Sequence, residues 1–389
     1  MHLCNTKNNH FVPQFYLKSF LDISNNIYLG DKKNNKCHRT KDLKSIAFKT
    51  NLYTITEKIS NNDIEWFRKT LKLSVDNSMT QTYLSTLVCF LNDELANLFS
   101  IKTSNKECQE ILDREIKSLI NEEISRNQEL LFSLYENDFY KIYINILEQK
   151  HINLPLQPAE SPFLYLALKI TQFIYSLLAK KTHLSVAKEL KEIKQDDQEI
   201  LEDLVKLKEI KIEPNGYYDL WHYILIQYFR TEKIIGFLGL PEETRKRLNS
   251  IEKANGVNSE NVMFLIIHYQ TLNILDKLIQ DDFKLILIKN ETGMNFITSD
   301  NPAVNPYSSI AGERALQDGE FEIYFPLSPK LAILCSKNFL HKNYDKDLSE
   351  VKLTSIDEVD YWNKLILREA NRYVYASSES FIKKYITSI

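Results

Sequence analysis

Asp282-Phe283-Lys284-Leu285-Ile286-Leu287-Ile288 marks the point where the pattern of this chain changes. Upstream, apolar residues recur at helical spacing, as in Leu84, Leu87, Val88, Leu91 and Leu95 within 63–101. From Phe283 on they come in short runs of strand length: Phe283–Ile288, Asn295–Thr298, Glu322–Phe325, Leu331–Cys335 and Tyr373–Ala376. One helix interrupts them, over 356–370, with Ser355 as its capping hydroxyl and Glu358 three positions later.

Between 63 and 280 the helical period predicts further helices over 107–126, 128–149, 218–230, 241–253 and 259–279. Ser161-Pro162 opens another, because a hydroxyl can cap the first turn and proline loses nothing there. The charged stretch 183–212 carries one apolar stripe, Leu190, Ile193, Ile200, Leu204 and Leu207, and reads as a solvated helix pair. Before 63, Asn26–Leu29 alternates into the turn Gly30-Asp31-Lys32-Lys33, and a second short strand covers Leu52-Tyr53-Thr54-Ile55. The expected fold class is α+β, with a sheet built from N- and C-terminal strands and a large central helical region. The expected segments are an N-terminal β segment over 1–62, a helical insertion over 63–280, and a C-terminal α+β segment over 281–389 that completes the sheet. The simplest closure is one mixed or antiparallel sheet, which would set the motifs at His10 and at 296–302 side by side.

Composition narrows the function classes. A formal net charge of −3 gives no overall pull toward nucleic acid or an acidic membrane, although it leaves a local basic patch open. With only 8 glycines and neither GxGxxG nor GxxxxGK[ST], nothing points to a phosphate-cradling loop. Cys4, Cys37, Cys89, Cys108 and Cys335 are scattered and form no CxxC pair, which predicts free thiols in a reducing cytoplasm. No run of about 18 uncharged apolar residues predicts a membrane span. No partner or cofactor is indicated, and His2, Cys4 and His10 match no zinc spacing.

Six segments, in order along the chain, carry a resemblance. They are His10-Phe11-Val12-Pro13-Gln14-Phe15-Tyr16-Leu17-Lys18-Ser19-Phe20, Ile27-Tyr28-Leu29-Gly30-Asp31-Lys32 and Asn51-Leu52-Tyr53-Thr54. The others are Phe296-Ile297-Thr298-Ser299-Asp300-Asn301-Pro302, Tyr324-Phe325-Pro326-Leu327-Ser328-Pro329 and Asn371-Arg372-Tyr373-Val374-Tyr375. Together they resemble the bacterial domain-of-unknown-function family 4238, over the whole chain. One departure is the absence of an arginine from Thr171-Gln172-Phe173, where the resemblance leads one to expect it.

The motifs supply the candidate site. His10 is a candidate general base, since imidazole titrates near neutrality. Asp300 could act as a base or ligate a metal, and Asn301 could donate to developing negative charge. Gln14, Tyr16 and Ser299 could hold a substrate's polar atoms. Against this, Asp and Asn before a proline also make turns that cap loose backbone N–H groups. Two functions follow. One is a hydrolase centred on His10, Asp300 and Asn301, nuclease-like and, by analogy with scattered bacterial families, acting in phage defence. The other is a non-catalytic ligand- or protein-binding module in which both motifs are structural. They differ in one observable: a catalytic pair shares a cleft with polar atoms free, whereas a structural pair is buried and satisfied by its neighbours.

Overall fold

A computed structural model describes residues 8–50, 59–70, 84–88, 128–148, 162, 165–166, 169–170, 216–231, 256–281, 283–307, 321–337 and 349–386. The helices expected over 107–126, 183–212 and 241–253, the strand at 52–55, Ser161, and the cysteines at 4, 89 and 108 lie outside the described residues.

The N-terminal portion contains β1 (Asn8–His10), α1 (Gln14–Leu17), a 3-10 turn (Lys18–Phe20), β2 (Ile27–Asp31), β3 (Lys36–Thr40) and β4 (Phe48–Thr50). The described middle is helical, with α2 (Asn61–Thr70), α3 (Gln128–Leu147), α4 (Gly216–Phe229) and α5 (Ser259–Gln280). The C-terminal portion adds β5 (Lys284–Asn290), β6 (Thr298–Ser299), β7 (Ile323–Ser328), β8 (Leu331–Ser336), β9 (Ser349–Leu353), α6 (Ile356–Glu369), β10 (Tyr373–Ala376) and α7 (Glu379–Ile386). The architecture is α+β, with sheets drawn from the two ends of the chain.

The described strands divide between two four-stranded sheets and a small β1–β4 ladder, rather than forming one sheet. The first sheet runs β3-β2-β10-β6, so strands from both ends of the chain do meet in it. Its central contact pairs Leu29 with Tyr375 and Gly30 with Val374, antiparallel. The second runs β7-β8-β5-β9, antiparallel except for the parallel β5–β9 edge.

The reason for two sheets is visible along β8, where every residue is buried. Leu331, Ile333 and Cys335 join the core shared with the helices, while Ala332 and Leu334 join a second core with α6, α7 and β10. A strand covered on both faces is apolar at successive positions, and such a sheet needs a layer on each side. The run Leu331–Cys335 therefore belongs to a middle layer.

The helical side is organised by α4, which packs against both α3 and α5. All its residues from Tyr218 to Phe229 are buried, Trp221 and Ile224 completely. Each large apolar side chain so buried contributes about 1.5–3 kcal/mol before entropy is counted. Asp63 ties two helix starts together, accepting from Ser60 N in its own first turn and from Asn258 N just ahead of α5 at 2.6 Å. Within α5, Asn261–Gln280 is long and apolar enough to cross a membrane, but most of it is buried against neighbouring elements. A core helix passes that same test of length and hydropathy.

One local expectation changes and another holds. Gly30 lies inside β2, and the turn falls at 32–35, with Asn35 at φ 51°. A Cβ at Gly30 would come within 2.5 Å of Ile386 Cδ1 and 2.8 Å of Ile382 Cγ2. The glycine is there so that α7 can lie on the strand. Ser355 does cap α6, accepting from Asp357 N at 3.2 Å.

Candidate functional site

The N-terminal motif enters through β1, whose His10 stands opposite Phe48 of β4. Pro13 then precedes α1, which sets Gln14 one turn from His10. The Gln14 amide donates to His10 Nε2 at 2.9 Å, leaving the ring proton on Nδ1. Burial draws the His10 pKa below its ordinary value; the Ile46 carbonyl opposes this, and the nearby Arg230 charge adds to it. The imidazole is thus neutral at neutral pH.

Tyr16, also on α1, is fully buried and stacks on Phe325 with ring centroids 5.1 Å apart. Its hydroxyl donates to Pro326 O at 2.5 Å and lies 2.7 Å from Thr298 Oγ1. The two motifs therefore meet, through Tyr16 and Thr298. Burial holds the Tyr16 pKa well above its usual value, so the hydroxyl stays protonated.

The second motif leaves β6 and turns beneath the 371–373 segment. Asp300 is 4% exposed, and its carboxylate accepts from Asn371 N at 2.8 Å, Arg372 N at 2.7 Å and Tyr373 N at 2.8 Å. Burial pushes its pKa up, and these three N–H groups oppose the shift. Ser299 Oγ donates to Asn301 O at 2.8 Å and accepts from Asn301 N at 3.1 Å, closing the turn on itself. Asn301 accepts from Thr231 Oγ1 at 2.8 Å and donates to Glu369 O at 3.1 Å. Among the described residues no group hydrogen-bonds to both His10 and Asp300.

Sequence reasoning missed the residues that bridge the motifs. Arg230 and Thr231 follow α4 directly, and each reaches one motif. Arg230 Nε donates to Phe11 O at 3.1 Å, while Thr231 holds Asn301. Arg230 is 1% exposed, and its Nη1 pairs with Glu136 of α3 at 2.9 Å. With its amide carbonyl turned to the guanidinium, Gln227 accepts from Arg230 Nε at 2.7 Å. The available signal was an arginine closing an apolar run, Tyr228-Phe229-Arg230, where a lone cation needs a buried partner.

Beside this bridge a cleft of about 500 Å³ opens between α1 and α3. Phe15, Tyr140, Tyr143 and Ile144 form its apolar walls, and Lys18, Ser19 and Glu136 add polar groups. Its volume falls within the range of small-molecule sites. Tyr140 is 44% exposed and meets Phe15 edge-on at 5.3 Å. Tyr143 is anchored instead, donating to Leu327 O at 2.6 Å. Among the described residues no group of three or more His, Cys, Asp or Glu is arranged to hold a metal.

Fold and site together define an α+β protein whose two terminal motifs are hydrogen-bonded to each other and to the end of a buried helix. The chain belongs to the family described as "Protein of unknown function (DUF4238)", whose profile matches residues 8–380. No curated protein and no solved structure matches it.

Proposed function

We propose that the protein is a non-catalytic binding module. On this reading its two motifs lock the terminal strands to the helical region, and the cleft between α1 and α3 takes a small ligand. Residues 1–62 and 281–389 together supply the sheets, with 63–280 inserted as their helical cover. The observation that carries this is the Asp300 carboxylate, taken up by three backbone N–H groups in a buried turn. A general base or metal ligand needs an oxygen able to reach substrate or ion. Asn301 is similarly engaged at both ends of its amide. The hydrolase and phage-defence reading rests on these same groups, and only His10 keeps a chemistry that could serve it. The scattered cysteines, with no disulfide among the described residues, support a reducing, cytoplasmic setting.

The test is Asp300→Ala, followed by urea unfolding and by a phage-restriction or overexpression-toxicity assay. A structural clamp loses stability. An unchanged unfolding midpoint with abolished cellular activity would return Asp300 to catalysis.

A further inference from the structure

The net charge of −3 conceals a strongly basic hairpin. Residues 32–44 contain six Lys or Arg against a single Asp, and His38 as well. The hairpin is β2–β3, and among the described residues β3 is the edge of its sheet, bonded to β2 alone. Lys33, Lys36, His38, Arg39, Lys41 and Lys44 are all exposed. Among the described residues, none of these side chains has an ion-pair or hydrogen-bond partner.

The nearby charges that are neutralised lie elsewhere. Lys32 is committed to the end of α6, donating to Leu367 O at 2.7 Å and Ala370 O at 2.8 Å. Asp31 is buried and pairs with Arg372 at 2.9 Å. On α7, Glu379 pairs with Lys383 at 2.9 Å on the side of the sheet that Cys37 faces. Lys36 and His38 alternate with Cys37 and so project from the opposite face of β3. Asp42 is tied to its own turn, accepting from Lys44 N at 3.0 Å.

The geometry points to a docking edge for the phosphate backbone of nucleic acid, a role beyond the binding-module reading and independent of the cleft. Each strand residue rises about 3.3 Å, so Lys36 and Arg39 lie about 10 Å apart along this edge strand, on its two faces, and their long side chains can reach separate phosphates. An edge with six cations against one acid binds by releasing counterions and reads no sequence. An anionic membrane surface fits less well. Membrane-seeking basic segments set apolar side chains beside the cations, whereas Leu43, the one large aliphatic residue within 32–44, is buried.

The test uses the full chain and a fluorescein-labelled 30-base-pair DNA duplex in anisotropy titrations between 50 and 200 mM NaCl. Binding should weaken with salt, by close to one log unit per log unit of salt for each phosphate neutralised. The double variant Lys36→Glu/Arg39→Glu should raise Kd at least tenfold and make the salt slope shallower by about 2. Both sites are exposed, so the melting temperature should not change. Phosphatidylserine-containing vesicles form the second arm. No binding to duplex at 50 mM NaCl, duplex binding insensitive to the double variant, or binding to vesicles alone would each overturn the proposal.

Discussion

Replacing Asp300 by alanine separates a clamp from a catalyst. Three N–H groups lose a charged acceptor at 2.7–2.8 Å. A buried donor left without an acceptor costs about 1–3 kcal/mol. Asn371 is exposed and its N–H can turn to water, whereas Arg372 and Tyr373 are half-buried. Relief from burying a carboxylate offsets part of the loss, since burial already pushes the Asp300 pKa up. The balance is a loss of about 3 kcal/mol. With a urea slope of about 3 kcal/mol per M, the unfolding midpoint should fall by roughly 1 M. Asp300→Asn should lose nearly as much, because its NH2 would face backbone donors that need an acceptor. If both variants unfold within about 0.2 M of the wild type, a loss of this size is excluded and the clamp argument is refuted.

Tyr16→Phe removes the hydroxyl shared by Pro326 O and Thr298 Oγ1 while keeping the stack on Phe325. It should cost about 1–2 kcal/mol by chemical denaturation, and an unchanged stability would argue against the motif contact. Gly30→Ala should destabilise by about 1–3 kcal/mol through overpacking against Ile382 and Ile386, with faster amide exchange in α7 as the local readout. His268 is fully buried, and burial lowers its pKa from 6.5 to about 3. A depressed histidine contributes stability that is complete above pH 6.5 and is lost as pH falls toward 3. His268 alone should therefore cost about 2 kcal/mol between neutral pH and pH 5. His268→Gln should show a correspondingly weaker acid dependence, and an identical dependence would rule out this assignment.

Several elements were legible in the sequence because their signals are local. Ser355 with its following acids starts α6, and Tyr373–Ala376 is the strand that its short apolar run predicts. The helical period over 218–230 likewise marks α4. Other elements were not legible. The strand Ser349–Leu353 carries charge at alternate positions because it is a sheet edge, and α7 is only eight residues long.

The sequence by itself determined the order of segments along the chain, β then α then β, because apolar period depends on each element's own backbone geometry. It also determined which motifs matter, since the segments around His10 and Asp300 stand out as residue strings. It did not determine what those residues do. The donors to Asp300 come from residues 371–373, and the carbonyl that receives Tyr16 is Pro326. No local pattern encodes a hydrogen bond between positions so far apart. Only tertiary structure decided that β2 pairs with β10, that Gly30 makes room for a helix rather than a turn, and that Arg230 and Thr231 join the two motifs. The physical reason is the same in each case: a buried polar group or a missing Cβ takes its meaning from the partner that folding brings to it.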